Sequence, residues 1–146
     1  MASDDVELSL RGLEAFNHAV ATGDVEPYLD FLDPAVSYAP ATAATEGITY
    51  EGRERVRAYL LGIQDTWRGL RCEPVEFHEV GGCLVMVGRW RASGRASGVA
   101  LDSLLVVVHE IRDGRIVWLR AFTDEAEAMA AAEARASSEA SKAAGT

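Results

Sequence analysis

The chain has 146 residues, about one domain's worth, and its 49% hydrophobic and 25% charged residues exclude a disordered polypeptide. A formal net charge of -9, with arginines scattered rather than clustered, excludes nucleic acid and anionic membrane surfaces as partners. No apolar run approaches the ~18 residues of a membrane span, and the acidic start Met1-Ala2-Ser3-Asp4-Asp5 lacks a leader pattern, so a soluble cytoplasmic protein is expected.

Over 6–21, Val6, Leu10, Leu13, Phe16 and Val20 recur at helical spacing and predict a first helix. Gly23 suits its left-handed stop, and Asp24 is placed to cap a short second helix over 25–32, with Pro27 in the first turn. Asp33-Pro34 ends that helix, Val36-Ser37-Tyr38 reads as a short strand, and 40–48 as an Ala/Thr-rich loop. A third helix over 53–67 carries Val56, Leu60, Ile63 and Trp67 on one side. Segments 70–79, 83–95, 99–112 and 115–123 read as strands, divided by Gly81-Gly82, a glycine-bounded tip at 94–98, and Asp113-Gly114. The last dipeptide supplies the positive φ values of a tight hairpin. Asp124 caps a final short helix, with Glu127 completing a capping box. The reading is a single domain over 5–135, followed by a flexible Ala/Ser-rich tail over 136–146. Cys72 and Cys83 lie in strand segments without metal-ligand spacing and read as buried free thiols.

Helices followed by an antiparallel meander make an α+β protein. In 99–112, Leu101, Ser103, Leu105, Val107, His109 and Ile111 share one face, while Leu104, Val106 and Val108 share the other. In 115–123, Val117, Leu119 and Ala121 oppose Trp118, Arg120 and Phe122. A sheet covered on one face alone should alternate apolar with polar, and this one is apolar on both. With no helix left over for the second face, a homodimer is expected there, through Trp90, Leu104, Val106, Val108, Trp118 and Phe122.

Five stretches then come together in order: Gly12-Leu13-Glu14-Ala15-Phe16-Asn17, Gly23-Asp24, Leu32-Asp33-Pro34-Ala35-Val36, Glu51-Gly52-Arg53-Glu54-Arg55-Val56-Arg57, and His109-Glu110-Ile111-Arg112-Asp113-Gly114-Arg115-Ile116-Val117. With the elements around them they span residues 6–130, and they resemble the nuclear transport factor 2-like superfamily in its SnoaL-like and ketosteroid-isomerase-like branch. The resemblance implies a cone: about three N-terminal helices packed on a strongly curved sheet around an apolar pocket, commonly dimeric through the outer sheet face. It says less about chemistry, because the fold hosts isomerases, cyclases, epoxide hydrolases and non-enzymes.

By that resemblance, the isomerase base falls at Tyr38, the phenolic oxyanion donor at Phe16, and the protonated acid at Val107, so none of the three matches. The epoxide-hydrolase arginine falls at Arg89, with Arg91 and Ala121 in place of its carboxylates. What remains polar on the expected inner face is Arg89, Arg91, Ser103 and His109, with Tyr38 at the mouth. His109 is the side chain of this set that titrates near neutral pH, which makes it the candidate acid/base. Tyr38 is the candidate donor to a developing enolate. Phe16, Tyr38, Trp67, Arg89, Arg91, Ser103, Val107 and Leu119 are the candidate substrate-binding residues, while Asp102, on the opposite face, is expected to pair with an arginine. Neither His18 nor His78 is spaced with His109, the cysteines or carboxylates as a metal site, and no metal, nucleotide or flavin motif is present, so no cofactor is expected. The expected function is binding of a small, largely apolar organic molecule, with cofactor-independent acid/base chemistry: an isomerisation or a polyketide-type cyclisation. The alternative is a non-catalytic ligand-binding or dimerisation module of the same fold. His109 faces inward only if its strand carries no bulge before it.

Overall fold

Turn chemistry sets the sheet. Asp113 and Gly114 both take positive φ, 51° and 76°, closing the expected hairpin, and Gly81 at 60° closes the one expected between segments 70–79 and 83–95. A computed structural model describes residues 2–41 and 47–144; residues 42–46 of the expected loop and 145–146 of the expected tail lie outside the described residues. The elements are α1 (Ala2–Thr22), α2 (Glu26–Leu29), β1 (Leu32–Ala39), β2 (Tyr50–Glu51), α3 (Arg53–Thr66), β3 (Trp67–Val80), β4 (Cys83–Gly94), β5 (Ala100–Arg112), β6 (Arg115–Phe122) and α4 (Glu125–Ala144). The six strands form one curved, unclosed sheet in the order β2-β1-β6-β5-β4-β3, with β1 parallel to β6 and the other pairs antiparallel. No helix of the described residues is long and apolar enough to cross a membrane.

The N-terminal half departs from expectation in four places. The second helix is a single turn ending at Leu29, and Asp33-Pro34 lies inside β1 rather than before it. The strand accommodates a proline because its pairing with β6 shifts register between Leu32 and Ser37, and the Asp33 carboxylate accepts the Ala35 N–H at 2.9 Å. Asp24 makes no cap; its carboxylate meets His18 at 3.2 Å, and Val25 stands at the N-cap. On α1, Leu10 is 40% exposed and Ser9 takes the buried position beside it.

Helices α1, α2 and α3 cover the inner face, where Val20, Leu29, Val36, Val56, Leu60, Leu70 and Leu119 pack together. The outer face is covered as well. Cys83, Val85, Val87, Val106 and Val108 pack against Ala128 and Ala132 of α4, and Val106 and Val108 are 0% exposed within one chain. The premise for an outer-face dimer, that no helix remained to cover those residues, is therefore corrected. Small alanines let α4 lie close: a Cβ at Gly81 would stand 2.3 Å from that of Ala136. Trp118 is flanked by Arg120 and Arg135 at 4.7 and 4.9 Å from its ring centre. Asp124 caps α4 through the Glu127 N–H at 2.9 Å, as the capping box predicts. The helix then runs to Ala144, past residue 136, where the tail is expected to begin. The alanines that denied that segment a core are also the strongest helix formers.

Candidate functional site

One cross-strand row organises the inner face. Tyr50 pairs with Tyr38, Tyr38 with Leu119, Leu119 with His109, and His109 with Leu84. Cross-strand partners share a face, so Tyr38 and His109 project to the same side with Leu119 between them. The bulge that would have turned His109 outward falls one residue later, between Glu110 and Ile111. It leaves Val108 outside and His109 inside.

Tyr38, Leu119 and His109 of this row line a cavity of about 90 Å³, room for several waters or a small organic group. From α1 come Ser9, Leu13 and Phe16, from α2 Tyr28, and from α3 Tyr59. The sheet contributes Tyr38, Leu70, Cys72, Met86, Trp90, Leu105, Val107, His109, Leu119 and Ala121. The described lining residues include no Asp, Glu, Lys or Arg.

His109 is 2% exposed, and its Nε2 meets the Ser9 hydroxyl at 3.0 Å, while Nδ1 has no hydrogen-bond partner among the described residues. Burial pushes its pKa down from 6.5 to about 4, with a smaller opposing pull from the Val107 backbone. The imidazole is thus neutral at pH 7. The Tyr28 and Tyr38 hydroxyls meet at 3.0 Å, and burial raises both phenols above their ordinary value. Phe16 packs edge-on against Tyr28 with ring centres 5.3 Å apart, and Tyr59 lies 6.3 Å from Tyr38, so the pair is held in an aromatic frame. Asn17 fixes the strand opposite, donating to the Cys72 carbonyl and accepting the Cys72 N–H, both at 2.9 Å. Burial pushes the Cys72 thiol up to about 12, as the free-thiol reading requires.

Of the sequence candidates, Phe16, Tyr38, Val107, His109 and Leu119 line the cavity. Trp67 packs at the edge of the main core without lining it. Ser103 lies on the inner-facing parity, opposite Trp90, but donates to the Leu104 carbonyl at 3.3 Å and does not reach the cavity. Arg89 and Arg91 are corrections. Arg89 pairs with Leu104 of the outer face and forms an exposed ion pair with Asp102 at 2.7 Å, which Arg91 also approaches at 3.7 Å. Trp90 is the matching correction: expected outside, it lines the cavity, and its buried Nε1 has no hydrogen-bond partner among the described residues. The reason is local. Residues 83–87 are apolar without a break, so alternation there gives no parity. Ser9, Tyr28, Tyr59 and Cys72 were not singled out as lining residues; Ser9 had a signal, since with Leu13 and Phe16 it forms an i, i+4, i+7 face of α1.

The model of the SnoaL-like domain family matches residues 13–119. No curated protein matches the chain. Among solved structures, a nuclear transport factor 2-like protein of unknown function from Burkholderia pseudomallei superposes with a TM-score of 0.69 at 26% identity, over 84% of this chain and 92% of that one. A candidate SnoaL-like polyketide cyclase from a Jannaschia species gives 0.70 at 19% identity, over 90% and 93%. TerC, co-crystallised with polyporic acid, gives 0.64 at 21% identity, over 86% and 98%. The latter two show the fold alone.

Proposed function

The chain belongs to the SnoaL-like domain family, and on that premise we propose that it is a cytoplasmic protein that binds a small, largely apolar organic molecule in this cavity and acts on it by cofactor-independent acid/base chemistry. The reaction is an isomerisation or a polyketide-type cyclisation through an enolate. One observation carries the reading: Tyr38 and His109 stand in the same cross-strand row over an otherwise apolar cavity. With its proton on Nε2, His109 donates to Ser9 and keeps a lone pair on Nδ1. A base with a pKa of about 4 matches an ordinary carboxylate in strength, and it is unprotonated at neutral pH.

In this reading Nδ1 takes a proton from the carbon next to a ligand carbonyl, and the C–H electron pair moves into a C=C bond as the carbonyl oxygen becomes an enolate. Tyr28 donates to Tyr38, and Tyr38 donates to that oxygen. Return of the proton to another carbon completes an isomerisation; attack of the enolate carbon on a second carbonyl closes a ring, and the alkoxide so formed takes the proton back from His109. The polyketide-cyclase neighbour supports the second outcome at the level of fold. The lack of a carboxylate among the described lining residues favours the other reading, a module that binds without catalysis.

Exchange of the α-protons of 2-tetralone in D₂O, followed by NMR, separates the two. The enzyme reading predicts exchange faster than buffer that His109→Asn abolishes while the ketone still binds. Binding with exchange at the buffer rate would establish the binding module.

A further inference from the structure

We propose that the Trp90 indole N–H anchors the far end of the ligand, and that the cavity selects uncharged molecules bearing a carbonyl-type acceptor at that end. The inference rests on the ligand-binding reading above and adds the polarity of what is bound. Trp90 lines the cavity, yet its Nε1 is buried and without a partner among the described residues. An indole N–H can only donate, and a buried donor left dry is destabilising, so a group that enters the cavity is the natural acceptor. Trp90 pairs with Ser103, six residues from His109 along β5, which is roughly 20 Å on an extended strand. Trp90 therefore enters the cavity from a part of the sheet removed along the strands from the Tyr38–His109 row.

Charge argues in the same direction. The described lining residues carry no formal charge, and burial keeps His109, Tyr28, Tyr38 and Cys72 neutral at pH 7. An ion would leave its hydration shell and meet no counter-charge. A ketone oxygen loses far less and gains the indole bond.

Three probes of one shape decide: acetophenone, α-methylstyrene with C=CH₂ in place of C=O, and benzoate. Each is titrated into ¹⁵N-labelled protein while the indole N–H signals are followed by NMR; the Trp90 signal is the one missing from Trp90→Phe. Acetophenone should bind and move the Trp90 proton downfield. α-Methylstyrene should bind about fivefold more weakly without that shift, the usual worth of one hydrogen bond, and benzoate at least about tenfold more weakly. In Trp90→Phe, acetophenone should fall to the affinity of α-methylstyrene, which itself stays unchanged. Equal wild-type affinities for acetophenone and α-methylstyrene, or benzoate binding as well as acetophenone, would overturn the inference and leave the ligand-binding reading standing. The wild-type comparison holds even if the variant does not fold. If no probe perturbs any cavity residue, the ligand-binding reading fails and the inference goes with it.

Discussion

A single buried imidazole gives this protein a specific pH signature. Unfolded, His109 takes up a proton near pH 6.5; folded, it resists until about pH 4. Unfolding therefore takes up a proton in that window, so the stability held above pH 6.5 falls as pH drops toward 4, by about 3 kcal/mol from this group. Denaturant titrations at several pH values should show that slope in the wild type and a shallower one in His109→Asn. Tyr38→Phe leaves the buried Tyr28 hydroxyl without its partner, and urea unfolding should register a loss of about 1 kcal/mol. That His109 shares a face with Leu105 and Val107 was legible from alternation, but that this face points inward depended on where the bulge of β5 falls, which the sequence does not mark. The orientation of Arg89 was not legible. It came from the family position, and the uninterrupted apolar run before it offered nothing to correct the assignment. Arg89→Ala should shift stability by less than about 1 kcal/mol, the range of an exposed ion pair, and leave probe affinity unchanged.

At the scale of elements, the C-terminal helix changes the meaning of the sheet's second apolar face. The alternation of β5 and β6 predicted correctly that this face must be covered. What it could not supply was the cover, because α4 buries itself through Ala128 and Ala132, residues too small to mark a hydrophobic stripe. A second copy docking directly on Val106 and Val108 would require α4 to move away. Val106→Asp thus places an unpaired charge beneath the helix and should lower stability by on the order of 3 kcal/mol or more. A variant ending at Asp124 should expose Val85, Val87, Val106 and Val108 together and self-associate in light-scattering mass measurements. A truncated chain that stays monomeric and folded would show that α4 is dispensable.

Across the whole molecule, two covered sheet faces divide the labour: α4 and the outer face supply packing, while the inner face keeps a space open under its aromatic frame. The positions of the four long strands and their antiparallel succession followed from turn dipeptides and alternation, both local signals, whereas the parallel pairing of β1 with β6 and the two-residue β2 had no such signal. The cavity did not, because it is made where α1, α2 and α3 meet a sheet curvature that no single segment encodes. The central claim is that this space receives a neutral carbonyl compound between Tyr38 and His109. A crystal structure after soaking with 2-tetralone tests it most directly. The account predicts density for the ketone inside the cavity, with its single oxygen within hydrogen-bond reach of one of the two donors, the Tyr38 hydroxyl or the Trp90 indole N–H. Side chains closed over an empty Tyr38–His109 row, with the ketone elsewhere or absent, would contradict it.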